Sequence, residues 1–234
     1  TTSPNALNGQ LMVHNRPISR ADYEALNSTV NDLIQKRIGF LLDHTNRRGQ
    51  THPNIPFAYS PKPNRASLDI LQGRPFFLTQ FERYSELTEG NWPTQEYRIG
   101  ESGVYLEAVI GDQTAKSMAI SVGDEVFLFP YKSDTSQRIT LKISGISHPT
   151  DPFDPYWLGV PFYFNIQEVD EKPLIPFYVQ ESAFLDGIGY RFSSLIGDFG
   201  WLLYINTENL RYEAVQDTRE AFAGLETDIN KRIP

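Results

Sequence analysis

The 234-residue sequence predicts an α+β fold, and three observations carry that expectation. Each end holds a strand followed by an amphipathic helix, the middle reads as short alternating strands separated by turn residues, and the two ends resemble each other. The first end contains Arg20-Ala21-Asp22-Tyr23-Glu24-Ala25-Leu26 and the last contains Arg211-Tyr212-Glu213-Ala214-Val215. A shared Tyr-Glu-Ala in the same strand-to-helix order points to an internal duplication, with generic amphipathic convergence as the alternative. On duplication, two β-α units fold together from opposite ends of the chain and the β-rich middle is inserted between them.

The elements are justified in order. Residues 9–15 can form a strand. Tyr23, Leu26, Val30, Leu33, Ile34 and Ile38 then recur at three- and four-residue steps and share one helix face. Ser19 is the expected N-cap, answered by Asp22, and Gly39 is the expected stop, with Phe40-Leu41-Leu42 starting a second strand. Residues 46–64 carry Pro53, Pro56, Pro61 and Pro63 and predict a long loop or subdomain boundary. Residues 78–87 suggest a short aromatic helix that ends before Trp92-Pro93. Residues 104–110 alternate as a strand, Asp112 caps a short helix over 113–118, and Ser121-Val122-Gly123-Asp124 turns the chain. Residues 125–130 and 138–146 then form a hairpin. Beyond the proline-rich passage 149–157, residues 162–166 and 175–179 offer strands, and 201–205 is an apolar strand. Asn206 or Thr207 caps a final helix marked by Tyr212, Val215, Phe222, Leu225, Ile229 and Ile233, with Lys231 and Arg232 complementing its dipole.

Composition narrows the function. The 21 basic against 29 acidic residues give a net charge of −8, which opposes nucleic acid and anionic membrane surfaces unless the positive charges cluster, and no such cluster stands out beyond Arg47-Arg48. Cysteine is absent, so disulfides and cysteine-held metals are excluded. The chain opens at Thr1 with no signal-like stretch and has no run of about 18 apolar residues, so it is expected to be an excised or processed soluble piece. Sixteen prolines and 13% aromatic residues suit a β-rich, loop-rich domain.

Catalytic motifs are expected to be absent. His14, His44, His52 and His148 have no metal-ligand spacing and are expected to be solvated or locally bonded. Gly145-Ile146-Ser147-His148-Pro149 lacks the last glycine of a nucleophile elbow, so Ser147 is expected at a strand-end turn. Asp198-Phe199-Gly200 spells the kinase metal triplet without its companions and predicts a turn. Asp151 and Asp154 lack the further ligands of a calcium loop. Paired carboxylates for glycoside hydrolysis depend on the fold, and nothing in the sequence nominates a pair. The sequon Asn27-Ser28-Thr29 falls inside the first predicted helix. One cluster remains, Phe153, Tyr156, Trp157, Phe162, Tyr163 and Phe164. It is either a ligand- or partner-binding surface, for which Phe153, Tyr156, Trp157 and Tyr163 are the candidates, or a plug of core beneath a proline-rich loop. No catalytic, cofactor-binding or metal residue is nominated.

Several blocks in the middle occur in a recognisable order: Glu89-Gly90-Asn91-Trp92-Pro93, the strand Glu107-Ala108-Val109-Ile110, the helix with Thr114-Ala115-Lys116, then Ile120-Ser121-Val122-Gly123-Asp124-Glu125-Val126-Phe127-Leu128 and Leu141-Lys142-Ile143-Ser144-Gly145-Ile146. This order resembles the periplasmic core domain of MacB/FtsX-type ABC transporter permeases. The blocks cover about a third of the chain, and each is short and made of packing residues. The resemblance implies a porter-like α/β subdomain built from residues 1–64 and 186–234, with a β-rich sabre-like subdomain, 65–185, inserted between them. It also implies a noncatalytic domain on the extracytoplasmic side of a bacterial cell membrane, no cofactor, and transmembrane helices of the same parent polypeptide as neighbours. ATP would be hydrolysed by a separate cytoplasmic subunit or domain. A second permease copy or an extracytoplasmic protein would be further partners, and nucleic acid would not. The proline-rich stretch 46–64 departs from the family pattern. A free-standing extracellular module that binds a glycan, peptide or lipid is the alternative, and a hydrolase with unrecognised acidic residues is a third.

Overall fold

The computed structural model describes residues 8–158, 162–206 and 215–233. Strand β1 (Asn8–Pro17) leads into helix α1 (Arg20–Ile38). The Ser19 hydroxyl accepts the Asp22 N–H at 3.3 Å and donates to the Asp22 carboxylate, which settles the first turn. Tyr23, Val30, Leu33, Ile34 and Ile38 are buried on one face, as their spacing requires.

Of the stretch 46–64 the end, 59–64, is irregular as expected, but the part before it is not a long loop. Strand β2 (Leu42–His52) runs through its first part and β3 (Ile55–Ala58) through its middle. β2 is polar because its side chains have partners: Arg47 meets Glu181, Asn46 meets Thr79 and Gly49 lies beneath Phe77 and Phe199. The aromatic helix expected over 78–87 is also absent. The chain there leaves β4 (Gln72–Leu78), reverses at Gln80 with φ 65°, makes a 3-10 turn over Phe81–Arg83 and enters β5 (Ser85–Gly90). Strands β6 (Tyr97–Gly100) and β7 (Gly103–Gly111), helix α2 (Asp112–Met118), and strands β8 (Glu125–Leu128) and β9 (Arg138–Pro149) follow. β8 and β9 pair antiparallel from Glu125 opposite Lys142 to Leu128 opposite Ile139, the hairpin that the alternation predicts. Ser147 lies buried inside β9 rather than at a turn.

Residues Phe162–Phe164 form a 3-10 turn where a strand is expected, and the strand begins later as β10 (Gln167–Val169). β11 (Lys172–Tyr178) follows, then α3, a π-helical segment over Ala183–Ile188 that continues as Gly189–Arg191. Asp198-Phe199-Gly200 is the interior of β12 (Ile196–Ile205), not a turn. Helix α4 (Val215–Arg232) carries the basic last turn, while the expected cap at Thr207 and the residue Tyr212 lie outside the described residues.

The twelve strands of the described residues join one mixed sheet. Its order β1-β12-β2-β4 forms an open wing, and β4-β3-β8-β9-β7-β11 closes into a ring because β11 also pairs with β4. Phe57, Leu106, Val126, Leu128, Ile139, Leu141 and Phe177 are among the ring's buried apolar residues, all below 2% exposure, so the ring is filled rather than open. On the wing, strand alternation sends Phe77, Phe199, Trp201 and Leu203 toward the helices, where Tyr23 lies 4.9 Å from Phe199 and 5.8 Å from Phe77 between ring centroids. The opposite face presents Phe76, Leu78, Leu202 and Tyr204 to Tyr156, Trp157, Tyr163 and Phe164. Helices α1 and α4 pack side by side, tied by Arg37 to Asp228 at 2.7 Å.

Candidate functional site

The proline-rich passage 149–157 is held in shape by its own aspartates. The Asp151 carboxylate accepts the Phe153 N–H at 2.8 Å, and the Asp154 carboxylate accepts the Tyr156 N–H at 2.8 Å. The indole of Trp157 donates to the Asp151 carbonyl at 2.9 Å. These contacts turn Tyr156 and Trp157 inward, where they are buried, and leave Phe153 89% exposed at the tip. Tyr163 is half-buried and stacks on Phe76 with centroids 4.6 Å apart. Of the four candidates, one therefore points to solvent, two are packed in the core, and Tyr163 sits at the edge between them.

Phe81 organises the buried part. Its ring stacks on Tyr178 and Phe164 at 4.2 and 5.3 Å and meets Trp92 and Trp157 edge-on. The Tyr156 hydroxyl donates to the Thr79 carbonyl at 2.8 Å, and the Tyr204 hydroxyl donates to the Tyr156 carbonyl at 2.9 Å. Burial, reinforced by neighbouring phenols for Tyr156 and by Glu82 for Tyr178, raises both phenols above the ordinary tyrosine range, and burial pushes Tyr204 up to about 12. A raised folded-state value means that the neutral phenol stabilises the fold fully below the unfolded value of about 10 and that this contribution disappears as pH rises through the folded value. Urea unfolding midpoints should therefore hold up to about pH 10 and fall steeply toward pH 12. Tyr178→Phe should flatten that fall, and an unchanged alkaline slope would show that the phenol is not the cause.

Beside the cluster, a cleft of about 470 Å³ opens between the end of β4 and the start of α3. Two of its carboxylates are engaged: Glu82 accepts from Gln180 Nε2 at 2.6 Å and Glu181 pairs with Arg47 at 3.0 Å. These bonds fasten α3 to the wing, and Arg20 adds a bidentate pair to Asp186 at 2.6 and 2.7 Å.

A second polar group lies on the open part of the wing, on the face that carries Tyr163. Asp198 is buried in β12, and its carboxylate meets Nδ1 of His14 at 3.1 Å, Nδ1 of His52 at 3.3 Å and the Asn15 N–H at 3.2 Å. Neighbouring strands bring these residues together from positions far apart in the chain. His44 instead stacks on Tyr204 at 4.2 Å, and His148 faces Glu86 at 3.9 Å. Among the described residues no group of three or more His, Cys, Asp or Glu side chains is arranged to hold a metal ion. The sequon residue Asn27 accepts from the Trp201 indole at 2.9 Å. No helix of the described residues is long and apolar enough to cross a membrane. No family model matches the chain, and no curated protein matches it.

Proposed function

We propose that this chain is the noncatalytic extracytoplasmic domain of a MacB/FtsX-like ABC transporter permease, transmitting membrane-helix motion to a substrate or partner outside the membrane. One observation carries the proposal: the first and last helices lie side by side on a wing whose β1 and β12 are antiparallel neighbours. Two tethers at the two ends of the chain would then pull on one rigid body. In this scheme the wing, which borrows β4 from the central segment, is the porter-like part near the membrane, and the β-rich ring, which borrows β3 from the first segment, is the sabre-like part beyond it. ATP is hydrolysed elsewhere, by a cytoplasmic subunit or domain, and this domain relays the movement.

The parent gene should encode apolar spans of about 20 residues on either side of this chain. Flanks without them would remove the proposal. In the complete permease, Arg37→Glu should lower transport while ATP hydrolysis continues, because it sets like charges against each other across α1 and α4. Adding Asp228→Arg should restore transport by reversing the pair, and failure of the rescue would count against the helix pair as the relay.

A free-standing extracellular binding module is the alternative, favoured by the exposure of Phe153 on a loop that its aspartates hold in shape. Membrane-free flanks would select it.

A further inference from the structure

The sheet is interrupted on one side of β2. Strand β12 accompanies β2 from Ile196 opposite His52 to Ile205 opposite Leu42, but β4 pairs with it only at Arg48, Gly49 and Gln50. One further contact closes that seam: the Thr79 N–H donates to the Arg47 carbonyl at 2.9 Å, and the Thr79 hydroxyl accepts the Arg47 N–H at 2.8 Å. Both backbone groups of Arg47 therefore point away from β12. Backbone groups in a strand alternate between its two edges, and the β2–β12 register is regular from Arg47 opposite Trp201 to Thr45 opposite Leu203. Thr45 thus offers its N–H and C=O on the same side as Arg47. Among the described residues no backbone group meets them there, because the chain after β4 reverses at Gln80 and leaves. Beside Thr45 lies instead a cavity of about 360 Å³, lined by Asn31, Thr45, Asn46, Arg47, Thr79 and Gln80. Thr79 and Gln80 also line the cleft of about 470 Å³, so the two cavities adjoin.

We propose that an extended peptide with basic side chains adds as a strand to the open edge of β2 at Thr45. An unpaired strand edge is a template for a further strand: main-chain hydrogen bonds hold the peptide, and pockets beside the edge select its side chains. The preference for basic side chains follows from the adjoining cleft. Of its charged lining residues, Glu181 is matched by Arg47 at 3.0 Å, and Arg83 is exposed with its guanidinium 5.7 Å from the ring centroid of Tyr84. Glu82 is half-buried, accepts from Gln180 Nε2 and has no ion pair among the described residues. A lysine of the peptide that reaches past Gln80 supplies the missing counter-charge. The net charge of −8 draws in the same kind of partner. The open edge exists whatever the chain is attached to, so the inference stands apart from the permease proposal.

The test titrates the whole chain with the blocked peptide acetyl-Val-Lys-Val-Lys-Val-Lys-amide and reads backbone amide signals and their hydrogen exchange by NMR. Binding should saturate, and at saturation exchange of the Thr45 N–H should slow at least about tenfold, while the Arg47 N–H, already bonded to the Thr79 hydroxyl, changes far less. Thr45→Pro removes the donor on the open edge, spares the ladder with β12 and should weaken binding about tenfold. Glu82→Gln keeps an acceptor for Gln180 but loses the charge, and should weaken binding about threefold. The same peptide N-methylated at every residue should not bind, a test from the ligand side that holds even where the proline variant loses its fold. The counterpart acetyl-Val-Glu-Val-Glu-Val-Glu-amide should bind more weakly than the lysine peptide. Four results would each overturn the proposal: no saturable binding, unchanged exchange at Thr45 in the bound chain, binding undiminished by N-methylation, or equal affinity for the glutamate peptide.

Discussion

Phe81→Ala is expected to cost about 3–5 kcal/mol of folding stability, the range for truncating a fully packed aromatic side chain. Phe81 is 1% exposed, and its ring contacts Phe76, Trp92, Trp157, Phe164 and Tyr178. Removing it leaves these rings around a void that they cannot fill by small movements, because Tyr156 is tied to Thr79 and Trp157 to Asp151. In a chain of 234 residues this corresponds to a fall in melting temperature of about 10 °C. Urea unfolding followed by tryptophan fluorescence measures it directly, since Trp92 and Trp157 are both in the cluster. Phe81→Leu should lose less. A loss below about 1 kcal/mol for the alanine variant would mean that the passage over the wing is not anchored through this ring.

Gly103→Ala should be of comparable severity, about 4 kcal/mol, from two causes that add. Gly103 has φ +125°, a conformation that L side chains rarely adopt, and a Cβ there would lie 1.9 Å from the Arg138 carbonyl oxygen. Backbone strain accounts for about 1–3 kcal/mol and overlap with backbone for a similar amount. The residue starts β7 and pairs with Arg138 in the parallel β7–β9 ladder, so a shift there moves a wall of the ring. Gly100→Ala, at the other side of the same turn, has nothing within 4 Å of its added carbon and should be nearly neutral. Equal effects at the two glycines would refute this account of the turn.

Where side-chain alternation or helical spacing is carried by apolar residues, the sequence is sufficient. α1, β7, α2, the β8–β9 hairpin and β12 from Trp201 onward all follow from it. Failures occur where the partner supplies the stabilisation. β2 reads Asn46-Arg47-Arg48-Gly49-Gln50-Thr51, with no apolar alternation, because its polar groups are bonded across the sheet and its neighbours β4 and β12 bring the aromatic rings. Residues 78–87 have aromatic residues near helical spacing, but the left-handed Gln80 reverses the chain, and glutamine carries no sequence signal for that conformation. The aromatic plug was visible as composition, whereas which ring would point outward depended on Asp151 and Asp154 serving as turn acceptors. His14, His52 and Asp198 could not be grouped from spacing at all. Strand register alone unites them.

β2 meets β12 through ten matched positions but meets β4 through three, Arg48 with Leu78, Gly49 with Phe77 and Gln50 with Phe76. A plate so broadly stitched resists twisting, whereas a joint that narrow yields first. On the permease proposal, torque delivered through α1 and α4 would accordingly concentrate its bending along this short weld, the place where a spectroscopic probe would register the earliest deformation.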